Sequence, residues 1–157
     1  MDICVKKKQA DLGTAGAVLE AGHGRELAGR VVLDYDARCL RRKRLVTDAG
    51  DGFLVDLPQA VSLPAGAAFA LADGRAVEVV EAREQVLLIR GDLPRLAWHI
   101  GNRHCPCEMA GDHLVIRADP VLEAMLKQMG AGITRSFAPF HPEGGAYGHG
   151  RTFGHSH

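Results

Sequence analysis

The chain has no net charge: 19 Lys and Arg balance 19 Asp and Glu over 157 residues. A protein so balanced projects no global field, which removes the usual electrostatic basis for gripping nucleic acid or a membrane surface. Aromatic residues are scarce, with one Trp, two Tyr and five Phe, so the core is expected to be aliphatic. No apolar run approaches the roughly 20 residues needed to span a bilayer. At the N-terminus, Met1-Asp-Ile-Cys-Val is followed at once by Lys6, Lys7 and Lys8, which is not the pattern of a signal peptide. The expected location is the cytoplasm, where the four cysteines stay reduced. Two of them, Cys4 and Cys39, stand alone and read as small buried hydrophobes.

What the chain does have is concentrated chemistry. Trp98-His99-Ile100-Gly101-Asn102-Arg103-His104-Cys105-Pro106-Cys107 puts two imidazoles and two thiols into the nine residues from His99 to Cys107. The stretch closes a helix. Asp92 is its N-cap, Pro94 suits its first turn, and Leu93, Leu96, Ala97 and Ile100 recur at i, i+3, i+4 and i+7. If the turns continue, His104 lies on the same apolar stripe and His99 points elsewhere, until Pro106 forces Cys105 out of helical geometry. A lone His on such a face is usually a core residue satisfied by a carbonyl. Here Cys105 and Cys107 flank it, and thiolate with imidazole suits late first-row divalent metals. One intervening residue strains a disulfide between the two thiols, so they read as thiolates. Four more histidines, His141, His149, His155 and His157, fall in the last seventeen residues. One His per chain makes a poor site, but paired across a two-fold axis it gives two imidazoles facing one ion.

The scaffold falls into three parts. Residues 1–74 read as a small all-β domain: Arg30-Val-Val-Leu33, the hairpin signal Asp48-Ala-Gly-Asp-Gly52, Phe53-Leu-Val-Asp-Leu57 and Ala67–Leu71 are strand or turn material without an amphipathic helix. Arg38 with Arg41-Arg-Lys-Arg44 reads first as a solvated strand edge and second as a surface for an acidic partner. Residues 75–138 carry strands at Val77–Val80, Val86–Ile89, Cys107–Met109, His113–Ile116 and Ile133–Phe137. A second helix begins at Asp119-Pro120, with Leu122, Met125, Leu126 and Met129 as packing residues. From Val86 onward the order is βαββαβ, the ferredoxin-like arrangement. Residues 139–157, rich in Gly and His, read as a disordered tail. The fold class is therefore α+β.

Trp98-His-Ile-Gly-Asn-Arg-His104 resembles the signature of the UreE urease accessory proteins, a family of nickel metallochaperones. Asp119–Ala131 is similar to that family's second helix, and Leu54-Val-Asp-Leu-Pro58, with the basic run before it, to its first domain. The resemblance implies that His104 is the metal-binding histidine at a dimer interface and that His99 is the neighbouring family histidine. A Gly- and His-rich tail, as in many members, keeps His141, His149, His155 and His157 as candidate ligands, while Cys105 and Cys107 are candidates on their own chemistry beside His104. Arg117, Ala118 and Pro120 stand where several relatives carry histidines, so a peripheral site there is expected to be absent. The implied cargo is Ni(II), with Zn(II) or Cu(II) as competitors. The implied partners are a second copy of the chain, urease apoprotein and GTP-dependent urease accessory proteins.

Three other readings compete. A general Zn or Cu binding or storage protein uses the same ligands. A nucleic-acid module shares the βαββαβ order, but neither Val86–Arg90 nor His113–Arg117 has the aromatics that stack bases. A thiol enzyme with His104 as base needs an orienting group and an oxyanion hole, and no motif provides them. The residues alone therefore point to a borderline divalent metal, and the resemblance implies that it is nickel, carried by a non-catalytic protein acting without nucleic acid or membrane.

Overall fold

The computed structural model describes residues 8–144, and the chain divides into two compact units that meet at Glu81 and Ala82. The first unit holds strands β1 (Asp11–Leu19), β2 (Leu27–Leu33), β3 (Cys39–Val46), β4 (Gly52–Ser62), β5 (Ala68–Leu71) and β6 (Ala76–Glu81). They form one sheet in the order β2-β6-β5-β1-β4-β3, with β1–β4 and β2–β6 parallel and the other pairs antiparallel. Phe53, Val55 and Leu57 alternate along β4 into the core, as a strand period of two requires. They meet Phe69, Val77 and Val79 there, with the Phe53 and Phe69 rings 5.7 Å apart.

Four features depart from the sequence reading. β1 lies between β4 and β5, although Gly13 and Gly16 disguise it as turn material. β6, assigned above to the second domain, hydrogen-bonds to β5 and β2. The composition change at Asp73-Gly74 marks only a tight turn, closed by Gly74 N–H donating to Leu71 O at 3.1 Å with Gly74 at φ 91°. β4 runs through Pro58 because the β3–β4 register shifts between Leu40 and Arg42, so no ladder N–H is needed there. Finally, Arg38 leaves the basic run: it is 3% exposed and its guanidinium lies 3.8 Å from Glu81. Arg41, Arg42, Lys43 and Arg44 remain exposed on β3, at one end of the strand order.

The second unit follows the expected order: β7 (Glu84–Arg90), α1 (Leu93–Asn102), β8 (Glu108–Met109), β9 (Leu114–Arg117), α2 (Pro120–Gln128) and β10 (Gly132–Ala138). Its antiparallel sheet is ordered β10-β7-β9-β8, which is the ferredoxin-like topology. Leu87, Ile89, Leu114 and Ile116 pack one sheet face against Leu96 and Ile100 of α1 and Leu122 and Leu126 of α2. Met125 and Met129 are partly buried against this core, as packing residues should be. Asp119 caps α2 by accepting from the Val121 and Leu122 N–H groups at 2.9 and 3.1 Å.

Glu123 ties α2 to β10. Its carboxylate accepts from Arg135 Nη2 at 3.1 and 3.2 Å and lies 2.9 Å from Lys127 Nζ. Lys127 first, and then Arg135, hold its pKa below the usual 4.5. The folded state thus binds this proton less tightly than the unfolded chain does. Its stabilisation is present above pH 4.5 and is lost as pH falls through the depressed value. Glu123→Gln is expected to flatten the acid limb of a melting-temperature profile recorded from pH 6 to pH 3. An unchanged limb would show that other carboxylates control it.

Candidate metal centre

The centre is built where α1 stops. Asp92 accepts from the Arg95 N–H at 3.5 Å, and Pro94 sits in the first turn. Leu96 and Ile100 then bury one face, so the helix direction is set by its apolar stripe. The helix ends at Asn102, two residues before His104. Arg103 caps it, and His104 turns into the left-handed region at φ 55°. His104 N–H donates to Gly101 O at 2.9 Å and Cys105 N–H donates to Ile100 O at 3.3 Å. These two bonds are the Schellman motif, which satisfies the last carbonyls of a helix by a left-handed residue just past its cap.

α2 ends in the same way, and the comparison is informative. Gly130 N–H donates to Lys127 O at 3.0 Å, Ala131 N–H donates to Leu126 O at 3.1 Å, and Gly130 has φ 83°. Glycine takes that conformation freely, whereas a side chain there costs on the order of 1 kcal/mol. Among the described residues His104 is the one non-glycine residue at positive φ. The expectation that His104 continues the apolar stripe is corrected. Its side chain is exposed, lifted off the core by the chain reversal, and free to meet a ligand.

The other candidates are placed differently. His99 is half-buried on α1, with the exposed Trp98 ring edge-on to it at 4.9 Å. Cys105 and Cys107 are half-buried against the helix-covered core. Their sulfurs lie 3.5 Å from Pro106 O and 3.7 Å from Glu108 O, as donors. Burial pushes both thiols up, Cys107 to about 11 with Cys105 adding to the effect. In the metal-free protein they are therefore thiols, not the thiolates that spacing alone implied. Cys39 is also only partly buried, with its sulfur 3.7 Å from Ser62 Oγ. Cys4, His149, His155 and His157 lie outside the described residues. No group of three His, Cys, Asp or Glu among the described residues is arranged to hold a metal.

The start of the tail is ordered, contrary to expectation. Phe140 is fully buried. His141 N–H donates to Glu108 Oε2 at 3.1 Å, and Glu143 N–H donates to Cys107 O at 2.8 Å. Gly and His dominate the composition around Phe140 and disguise it as tail when it is a core residue.

Two family models match the chain. The C-terminal domain of the UreE urease accessory protein matches residues 77–157, and its N-terminal domain matches residues 14–82. Three curated relatives, each named urease accessory protein UreE, illustrate the similarity. The Rhodobacter capsulatus protein is 56% identical over 143 residues, 91% of this chain and 92% of its own. The Paracoccus denitrificans protein is 63% identical over 122 residues, covering 78% and 79%. The Ruegeria pomeroyi protein is 51% identical over 148 residues, covering 94% and 99%.

Two outcomes follow from the geometry. His104→Gly should raise the melting temperature of metal-free protein by roughly 2–4 °C, the shift that about 1 kcal/mol produces in a chain of this size; a fall would mean that the imidazole itself supports the fold. Alkylation of Cys107 at pH 8 should run about a hundredfold slower than that of an exposed thiol, because its pKa is raised from 9.0 to about 11. Its rate should climb until the pH passes 11. Rapid labelling at pH 8 would contradict the burial described.

Proposed function

This chain belongs to the UreE urease accessory protein family, and we propose that it serves urease maturation as a metallochaperone that binds Ni(II) and delivers it to apo-urease. The observation that carries this reading is His104, an exposed imidazole held where glycine would fit without strain. Strain of this kind is retained where a side chain has work to do. In this reading the chain is a non-catalytic cytoplasmic homodimer. The two His104 imidazoles face one ion across the two-fold axis, and His99 and the tail histidines His141, His149, His155 and His157 supplement them. Trp98, 63% exposed on the outer side of α1, supports an interface beside that ion, since an exposed Trp is typical of a buried contact.

The chemistry suits a carrier. One imidazole from each subunit leaves the remaining positions to mobile or exchangeable ligands, so the ion can be released one ligand at a time. Imidazole suits Ni(II), while Cu(II) binds more tightly and Zn(II) competes, so selectivity in the cell depends on supply and on the receiving partner. Urease apoprotein and GTP-dependent urease accessory proteins are the proposed partners, with the exposed Arg41–Arg44 run of β3 offering them a basic surface. No helix among the described residues is long and apolar enough to cross a membrane. The raised Cys105 and Cys107 pKa values count against the thiol-enzyme alternative.

Isothermal titration of wild type and His104→Ala with Ni(II), Zn(II) and Cu(II) tests the reading. The variant should stay folded and lose its tightest Ni(II) phase by more than the 10–100-fold that orienting residues alone cost. An unchanged tight phase would move the site to the tail or the thiols.

A further inference from the structure

The chain reversal after α1 divides three metal-binding side chains between two surroundings. His104 is exposed, whereas Cys105 and Cys107 are half-buried and both pack against the helix-covered core. The imidazole is thus turned away from the thiols, which form a pair of their own. The two sulfurs sense each other, since Cys105 helps to raise the Cys107 pKa. The Val115 N–H donates to the Cys107 sulfur, a contact that favours the thiolate over the thiol. Cys105 opens into a cavity of about 360 Å³ that Glu84, Asp119 and Arg117 help to line, which gives a small cation a way in past two carboxylates.

We propose that Cys105 and Cys107 form a second metal site, a two-coordinate thiolate clamp for Cu(I), separate from the ion proposed at His104. The number of donors selects the ion. Zn(II) takes four ligands and Ni(II) commonly four in a square plane, yet no group of even three His, Cys, Asp or Glu is so arranged among the described residues. Cu(I) is monovalent and soft, thiolates select it, and two of them on opposite sides satisfy it. The spacing agrees. A disulfide needs its sulfurs about 2.05 Å apart, which one intervening residue strains. A clamped ion with metal–sulfur bonds of about 2.3 Å needs them about 4.6 Å apart, within the span of two Cα atoms at most about 7 Å apart. The half-buried surroundings also keep out the water that a divalent ion recruits to complete its shell. On binding, two Cu–S bonds form, the two S–H protons pass to solvent, and no electron is transferred. The S–H contacts to Pro106 O and Glu108 O are given up in the exchange. The site stands independently of the reading of His104 as a nickel ligand.

The test is anaerobic titration of full-length protein with Cu(I) against the chromophoric chelator bathocuproine disulfonate. Wild type should withdraw one more Cu(I) per chain from the chelator than Cys105→Ser or Cys107→Ser does. Affinity at that site should fall in either variant by at least about a hundredfold, the upper end of what residues that only orient a ligand cost. His104→Ala should withdraw as much as wild type. Undiminished Cu(I) binding in both serine variants overturns the proposal. So does a loss in His104→Ala equal to that in Cys105→Ser, which would put imidazole and thiols on one ion. Copper K-edge absorption keeps the test available should those serine variants fail to fold. It is recorded at one Cu(I) per chain on protein carrying Cys4→Ser and Cys39→Ser, where Cys105 and Cys107 are the remaining thiols. Two sulfur neighbours without imidazole support the clamp; a shell with imidazole nitrogen, or with one sulfur, overturns it.

Discussion

The last carbonyls of a helix that ends against its own sheet must find donors, and the chain must turn sharply to provide them. In this protein that requirement is met at Ile100 and Gly101 by the N–H groups of Cys105 and His104, and the turn demands a left-handed residue at 104. Everything distinctive about the proposed centre follows. The reversal lifts the His104 side chain off the core and out to solvent. It also turns Cys105 back toward Ile100, where the thiol packs as an apolar group. Cys107 follows into the approach to β8, and its carbonyl then receives the tail through Glu143. One backbone constraint thus sorts an exposed imidazole from two protected thiols within four residues.

On the proposed reading of the chain as a carrier of borderline metals, that sorting has a consequence. Thiolates bind Cu and Zn strongly, and their release is slow where many soft ligands act together. Keeping both thiols protonated and half-buried leaves the imidazole as the group presented first. On the same reading the thiols would be held in reserve, since a bound ion can lower a thiol pKa by direct coordination. On the proposed reading, weak chelation by one chain and stronger chelation by two would give an affinity that depends on assembly.

The pattern of what could be read from the sequence has physical causes. The α1 cap, the stripe from Leu93 to Ile100 and the α2 face were legible because caps and i, i+3, i+4 spacing are local signals. The early stop of α1 was not, because glycine normally announces a left-handed helix end and His104 does not. The turn at Gly74 looked like a domain boundary, yet β6 belongs to the first sheet through pairings remote in sequence. Arg38 was hidden inside a charge run, and its burial beside Glu81 depends on tertiary packing. The thiol pKa values likewise depend on burial that spacing cannot reveal. At Phe140 a single aromatic was averaged away by the glycines and histidines around it.

The most direct test of the central claim is native mass spectrometry of nickel-loaded protein in which His149, His155 and His157 are alanine. With the tail histidines gone, the account predicts one Ni(II) for every two chains, and none when His104 is also replaced by alanine. One ion per chain, or nickel retained after loss of His104, would contradict a centre shared between the two helix ends.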